Sequence, residues 1–358
     1  MADAVRITLS DPDFAALPAQ WRALEADSDG SFFQSWSWVG CQAAARFARP
    51  LLLRAERDGR TVALALANRT RAWHGAETLW LGESGDPAWD SIYVEQNGPL
   101  LARGAEALRP ALLRALLGPA WRGRRLRLAG VDAAHLAAAR QAGAVRLRAR
   151  DPAPWLDLVA LAAGADGFLA SLSANTRAQL RRSDRAYAAA GPIRVERAAT
   201  LAEAWQVLDA LAALHQARWT ARGRPGAFAT PAFAAFHREL IGRALPRGEV
   251  DLLRIAAGAA VIGYLYNFRH RGRVLAYQSG FDYAAAGARQ KPGLTCHHAA
   301  IQAARRDGAV AYDFLAGGDR YKTSLANATR DSYWLDMARR WSAEGLGYRL
   351  AGLVDQPI

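Results

Sequence analysis

The sequence predicts an α/β (α+β) chain of two similar halves, each a mixed, mainly antiparallel sheet flanked by helices. Three observations carry that expectation. Two hairpin-like stretches recur at 51–67 and 251–266, each is followed by a helix that crosses to another strand, and 358 residues exceed what one core usually holds. The 51% hydrophobic content and 12 tryptophans supply two cores, which excludes disorder over most of the length.

The first repeat, LLLRAERDGRTVALALA, reads as strand, Asp-Gly turn and strand. The second, DLLRIAAGAAVIGYLY, answers Leu52-Leu53-Arg54 with Leu252-Leu253-Arg254 and reads as having one residue fewer before its turn. After the first come the strand-like TLWLGE and SIYVEQNGPLL, a helix over 103–117 and the strand RRLRLAGVD. After the second come RVLAYQSGFD, a loop with glycine, the helix LTCHHAAIQAARRDG and the strand VAYDFLAG. A crossover helix implies a parallel neighbour in each sheet. DPAPW and AAGADG mark a boundary, giving domains of 1–160 and 161–358.

Two helices open the second half. SANTRAQLRRSDRAYAAAG starts on capping residues and stops at Gly191-Pro192. In LAEAWQVLDALAALHQARW, Leu201, Trp205, Leu208, Leu211, Ala212, His215 and Trp219 form one inward stripe.

The formal charge of +13 favours polyanionic partners such as nucleic acid, an anionic membrane face or a phosphate-bearing ligand. Lysine occurs only at Lys291 and Lys322, so arginine supplies the other 44 of the 46 basic residues. Cys41 and Cys296 form no disulfide framework or metal motif, which fits a reducing compartment. The acidic, proline-broken start is no signal peptide, and no apolar run is long enough to span a bilayer. The expectation is a cytoplasmic protein, with the inner-membrane surface as a further location.

GxxxxGK[ST], HExxH, GxSxG and zinc-spaced Cys/His clusters are all missing, so nucleotide hydrolase, metalloprotease and esterase readings lack support and no metal is expected. The informative stretch is YQSGFDYAAAGARQKPGLTCHHAAIQAARRDG, where a strand ends, a loop carries Arg289, Gln290 and Lys291, and Pro292-Gly293 opens a helix. Free N–H groups and the positive helix end suit a phosphate; a solvated loop with an ordinary helix start is the alternative.

With the meander before it and VAYDFLAG after it, this order resembles the GNAT acyltransferase fold. The second half is more narrowly similar to the CelD/BcsL family of GNAT-like proteins associated with bacterial polysaccharide synthesis. The residues that carry the likeness are SANTRAQLRRS at 173–183, HQARW at 215–219, KPGL at 291–294 and DFLAGGDRYKTSLA at 313–326. FFQSWSWV, the 51–67 hairpin and LGE extend it to the first half. The resemblance also reaches the Fem peptidoglycan aminoacyltransferases, which carry two GNAT-like domains in one chain. RQKPGL departs from the usual glycine-rich signature by holding one glycine where two are expected.

The resemblance implies two tandem GNAT-like domains, with 1–160 non-catalytic and 161–358 the acyltransferase. It implies acetyl-CoA or another acyl-CoA as co-substrate, held by Gln278, Ser279, Arg289, Gln290, Lys291, Gly293 and Leu294. The acceptor is a sugar or polysaccharide precursor, with polysaccharide synthase machinery as a partner. Acyl transfer needs a positioned nucleophile, a proton acceptor, an oxyanion site and an acid for the leaving thiolate. Asp313 then orients or deprotonates the acceptor, Tyr321 protonates sulfur, Lys322 holds an anionic group and His215 is a further catalytic candidate. As alternatives, Asp313 caps a turn, Tyr321 and Lys322 close a loop, and His215 is a core residue. Arg177 and Arg181, on a ridge with Arg185, and Trp219 are substrate-binding candidates; His297 and His298 open the cofactor-side helix. Aminoacyl transfer from charged tRNA and a degenerate accessory protein are the rival functions.

Overall fold

The computed structural model describes residues 5–354 apart from 74, 119–123 and 165, with side chains to residue 350. The chain forms two compact units, Met1–Asp151 with Asp331–Ile358, and Pro152–Arg330.

In unit one, β1 (Arg6–Ser10) precedes α1 (Leu17–Ala26) and α2 (Trp36–Arg46), followed by β2 (Pro50–Arg57), β3 (Arg60–Arg71) and β4 (Glu77–Leu81). The short β5 (Leu100–Leu101), α3 (Arg109–Leu117), β6 (Arg125–Val131), α4 (Ala133–Ala142) and β7 (Ala144–Asp157) come next. Strands β1 to β4 form an antiparallel meander, and α3 carries the chain across so that β6 lies parallel to β4. Ser35 caps α2 by accepting the Trp38 N–H, and Phe32, Phe33 and Trp38 pack edge to face beneath it.

Unit two begins with α5 (Gly167–Ser171), α6 (Ala174–Ala188) and β8 (Ile193–Arg197). It continues with α7 (Leu201–Thr220), α8 (Pro231–Ala244), β9 (Val250–Ala257), β10 (Ala260–His270) and β11 (Arg273–Phe281). It ends in α9 (Pro292–Arg306), β12 (Ala311–Asp313) and α10 (Arg320–Leu325). The chain then enters β13 (Ala328–Ala338) and closes with α11 (Ala343–Val354). Here too an antiparallel meander, β8 to β11, is followed by a crossover helix and a parallel strand, β12. Ser173 and Thr200 cap α6 and α7, and α7 buries Leu208, Leu211 and His215 of the expected stripe.

The two hairpins match residue for residue. Arg57 faces Arg60 and Ala257 faces Ala260, and each second strand has a bulge at the same step, leaving Val62 and Ile262 unpaired. The expectation of one residue fewer before the second turn is therefore corrected: both turns occupy two residues, 58–59 and 258–259. Asp58 and Gly59 have φ of 50° and 73°, as a tight hairpin turn on right-twisted strands requires.

Each unit completes its sheet with a strand from elsewhere in the chain. In unit one β13 pairs with β6, while in unit two the Trp155–Asp157 end of β7 pairs with β12. A ladder needs an open strand edge and not a neighbour in sequence, so residues 331–358 return to unit one. A second correction concerns SIYVEQNGPLL, of which only Leu100-Leu101 is strand. Gln96 and Gly98 have φ of 49° and 141°, which a continuous strand cannot accommodate.

The core of unit two gathers Leu156, Phe168, Leu180, Leu265, Ile301, Tyr312 and Phe314 around the inner face of α9. Among the described residues no helix is long and apolar enough to cross a membrane.

Candidate active site

Strands β11 and β12 pair over three residues only, Arg273–Leu275 with Ala311–Asp313. β11 then runs on to Phe281 with β10 on one side, and its other edge from Ala276 onward has no strand partner among the described residues. A register shift opposite Tyr266 and Asn267 bends β11 where the two strands part. The result is a fork with an open backbone edge, a place where an extended ligand can add to the sheet. Gln278 and Ser279, half-buried, lie on this stretch.

At the end of the fork α9 begins. Pro292 stands in its first turn, and the amides of Gly293 and Leu294 have no hydrogen-bond partner among the described residues. Lys291 is the capping residue, and its N–H donates to Ser183 Oγ on α6 at 2.8 Å. Ser183 Oγ is 2.8 Å from Thr295 Oγ1, which donates to Asp184 Oδ1 at 2.8 Å. Because Thr295 gives its proton to the carboxylate, Ser183 donates to Thr295 and accepts from Lys291. His298 Nδ1, 2.8 Å from Asp184 Oδ2, braces the same carboxylate. This relay fixes the positive end of α9 and leaves its next two amides for an anion. Gln290 closes the preceding loop by accepting the Gly287 N–H at 2.6 Å, and Arg289 is exposed. A Cβ on Gly293 would lie 3.2 Å from the Phe281 ring and 3.5 Å from the Tyr283 hydroxyl, so the backbone is approached closely there.

The loop after β12 is held from both ends. Asp313 is fully buried; its Oδ1 accepts the Leu315 N–H at 2.9 Å and its Oδ2 accepts from Arg330. Leu315 has φ of 60°, a costly conformation for a branched side chain. Lys322 Nζ, on α10, donates to Ala316 O at 2.6 Å and reaches Leu315 O at 3.4 Å. Beside it the ring of Tyr321 stacks on His297, centroids 5.1 Å apart and 17° from parallel. His297 is buried and contacts the Tyr312 hydroxyl through Nδ1 at 3.0 Å, while its Nε2 has no hydrogen-bond partner among the described residues. Burial, seconded by the Lys322 charge, lowers its pKa to about 3, so the ring is neutral. Burial raises the Tyr321 pKa, with Asp319 and Tyr283 adding to it, so that hydroxyl keeps its proton.

His215 contacts Ser279 O through Nδ1 at 3.1 Å, and its Nε2 accepts the Ala227 N–H at 3.2 Å. Both nitrogens are engaged and burial lowers its pKa, the arrangement of a neutral histidine joining α7 to β11. Trp219 leans on its ring, centroids 5.8 Å apart. The expected ridge on α6 divides: Arg177 donates to the Leu169 and Ala170 carbonyls at the end of α5, whereas Arg181 and Arg185 are exposed. Sequence reasoning missed Ser183, Asp184, Thr295, Tyr283 and Arg330. The polar Ser-Asp-Arg run on α6 and a threonine in the first turn of α9 were the available signals; nothing local marks Arg330 as the partner of Asp313.

Residues 174–323 match the family described as an acetyltransferase (GNAT) domain. This segment has a GNAT-like acyltransferase fold. A search of the curated proteins finds no match. FemX shares 11% identity over 98% of this chain and 100% of its own, with a TM-score of 0.61. L-PGS from Bacillus licheniformis shares 12% over 96% and 97%, with a TM-score of 0.56. A conserved protein of unknown function from Bacteroides thetaiotaomicron shares 12% over 93% and 100%, with a TM-score of 0.55. At these identities the likeness is one of fold.

The GNAT segment has an open fork, and unit one has the corresponding fork closed. There β4 and β6 pair from Thr78–Leu81 to Arg125–Leu128, and the strands part beyond. Asn97 fills the gap, donating from Nδ2 to Leu81 O at 2.9 Å and Ala129 O at 3.2 Å, and from its N–H to Gly130 O at 3.0 Å. A Cβ at Gly130, φ 62°, would collide with Val94 and Glu95 backbone, so the plug sits hard against the strand.

Proposed function

We propose that unit two takes an acyl-CoA thioester, acetyl or a similar group, and passes the acyl group to an amine or hydroxyl of a sugar or polysaccharide precursor in bacterial envelope or exopolysaccharide synthesis. The carrying observation is the open β11 edge running into the two unpartnered amides at the start of α9, within the GNAT segment. Phosphates of the donor lie at Gly293 and Leu294 with Lys291 and Arg289 beside them, and its pantetheine lies along the edge at Gln278 and Ser279. The acceptor atom attacks the thioester carbon, the C–S bond breaks, and the proton that the acceptor loses passes to the departing thiolate. Tyr321, whose hydroxyl burial keeps protonated, is assigned to donate a hydrogen bond to the departing sulfur. Asp313 and Lys322 shape the loop after β12, and His215 holds Ser279 in place. Arg181 and Trp219 are assigned to the acceptor. Unit one, its own fork filled by Asn97, is the non-catalytic half.

The acceptor assignment rests on the CelD/BcsL likeness of the 313–326 block, and polysaccharide synthase machinery is the partner it implies. A second reading, aminoacyl transfer from charged tRNA, draws support from the charge of +13 and the FemX-like fold. The test is a mass-spectrometric transfer assay offering acetyl-CoA with amino sugars and oligosaccharides, against charged tRNA. Acetylated sugar supports the first reading; transfer from tRNA with steep salt dependence supports the second and overturns the first.

A further inference from the structure

The end of unit one carries a surface that the acyl-transfer site does not use. After β13 the chain passes Arg339, Arg340 and Trp341 and enters α11, where Ser342 Oγ accepts the Gly345 N–H at 3.0 Å. A cavity of about 490 Å³ opens here, lined among others by Arg140, Leu147, Arg340, Trp341, Tyr348 and Arg349, and no carboxylate among the described residues lines it. Arg140, Arg340 and Arg349 have no ion-pair partner among the described residues, while Arg146 at the rim pairs with Asp336. Arg349 lies over the Trp341 ring, 4.9 Å from its centroid.

The same surface is apolar to an unusual degree. Trp341 is 79% exposed, Leu350 65%, Leu147 52% and Leu346 45%. Leu346 and Leu350, four residues apart, share one outward face of α11 beside Arg349. An exposed apolar patch rimmed by charged side chains marks an interaction surface.

We propose that α11 and the Trp341 segment dock on the surface of an anionic phospholipid bilayer. Leucines beside a tryptophan, ringed by guanidinium groups, are the composition of a helix lying in a membrane interface. Tryptophan suits the headgroup level, and the aliphatic stems of arginine reach along apolar surface to leave the charge at the phosphates. Each arginine near an anionic leaflet adds roughly fivefold to partitioning. A soluble polyanion such as RNA engages the arginines but leaves Leu147, Leu346 and Leu350 in water. A second copy of this face brings guanidinium groups against guanidinium groups, which opposes self-association. The inference stands apart from the choice of acyl donor.

The test is co-sedimentation of the full chain with vesicles of phosphatidylcholine alone and of phosphatidylcholine with phosphatidylglycerol. Binding to the anionic vesicles only, weakening as salt rises, is expected. The double variant Trp341→Ser, Leu350→Ser and the single Arg349→Glu each lower partitioning at least roughly tenfold. These exposed changes leave the melting temperature and acetyl-CoA affinity as they were. No binding to anionic vesicles, or equal binding by the variants, overturns the proposal. So does a dimer that the double variant dissolves, or tRNA binding that Arg349→Glu abolishes while the double variant keeps it.

Discussion

The ammonium of Lys322 donates to the carbonyl of Ala316 at 2.6 Å and lies 3.1 Å from where a Cβ on Gly317 would stand. That spacing accounts for lysine in a chain that otherwise writes nearly every positive charge as arginine. A compact ammonium on a flexible stem fits between the carbonyls and the glycine, and a planar guanidinium does not. Lys322→Arg is expected to keep the overall fold and lose most transfer activity, with kcat falling more than donor affinity changes. Steady-state kinetics beside isothermal titration check it; full activity in the folded variant reduces Lys322 to an ordinary loop cation.

Ser183→Ala removes the group that accepts the Lys291 N–H and donates to Thr295. Leaving buried polar groups unpaired costs about 1–3 kcal/mol, read as a lower midpoint in urea unfolding. Because the relay fixes the start of α9, acetyl-CoA affinity falls as well. Stability loss with unchanged affinity would separate the relay from the donor site.

His297 makes stability depend on pH. Its folded pKa of about 3 lies below the unfolded value near 6.5, so between these values the unfolded chain binds a proton that the folded chain refuses. Stability is unaffected above that window and declines as pH falls through it, at up to about 1.4 kcal/mol per unit. From pH 7 to pH 5 the wild type should lose about 2 kcal/mol more than His297→Gln in urea unfolding. Parallel curves for the two proteins would contradict the buried, neutral ring.

Asn97→Leu should destabilise unit one by about 1–3 kcal/mol, since the carbonyls of Leu81 and Ala129 lose their donor. Acetyl-CoA titration is expected to give one site per chain with the same affinity in both proteins. Two sites in the wild type would show that the first fork is open to ligand.

Both hairpins are legible in the sequence because alternating apolar runs and a short turn report local geometry, and the crossover pattern reports the parallel strand. The stretch 91–98 misleads, since Ile92 and Val94 look like strand residues while the stretch places Asn97 in a fork formed by distant strands. The same limit applies at the site. Gly293 and Lys291 announce a helix start, but that Ser183 anchors it depends on a contact over a hundred residues away in sequence. Arg177, part of a charged ridge on paper, is instead a donor to the carbonyls of α5, a pairing set by how two helices meet.

The central claim is that an acyl-CoA binds unit two at the start of α9, and calorimetric titration of acetyl-CoA into wild type and Gly293→Val tests it most directly. The larger side chain would crowd Phe281 and Tyr283 and stand over the two free amides. The account predicts one saturable site in the wild type, a stabilisation of about 2.7 kcal/mol at a hundred times the dissociation constant, and loss of both in the variant. No heat of binding in the wild type, or equal affinity in a folded Gly293→Val, would contradict it.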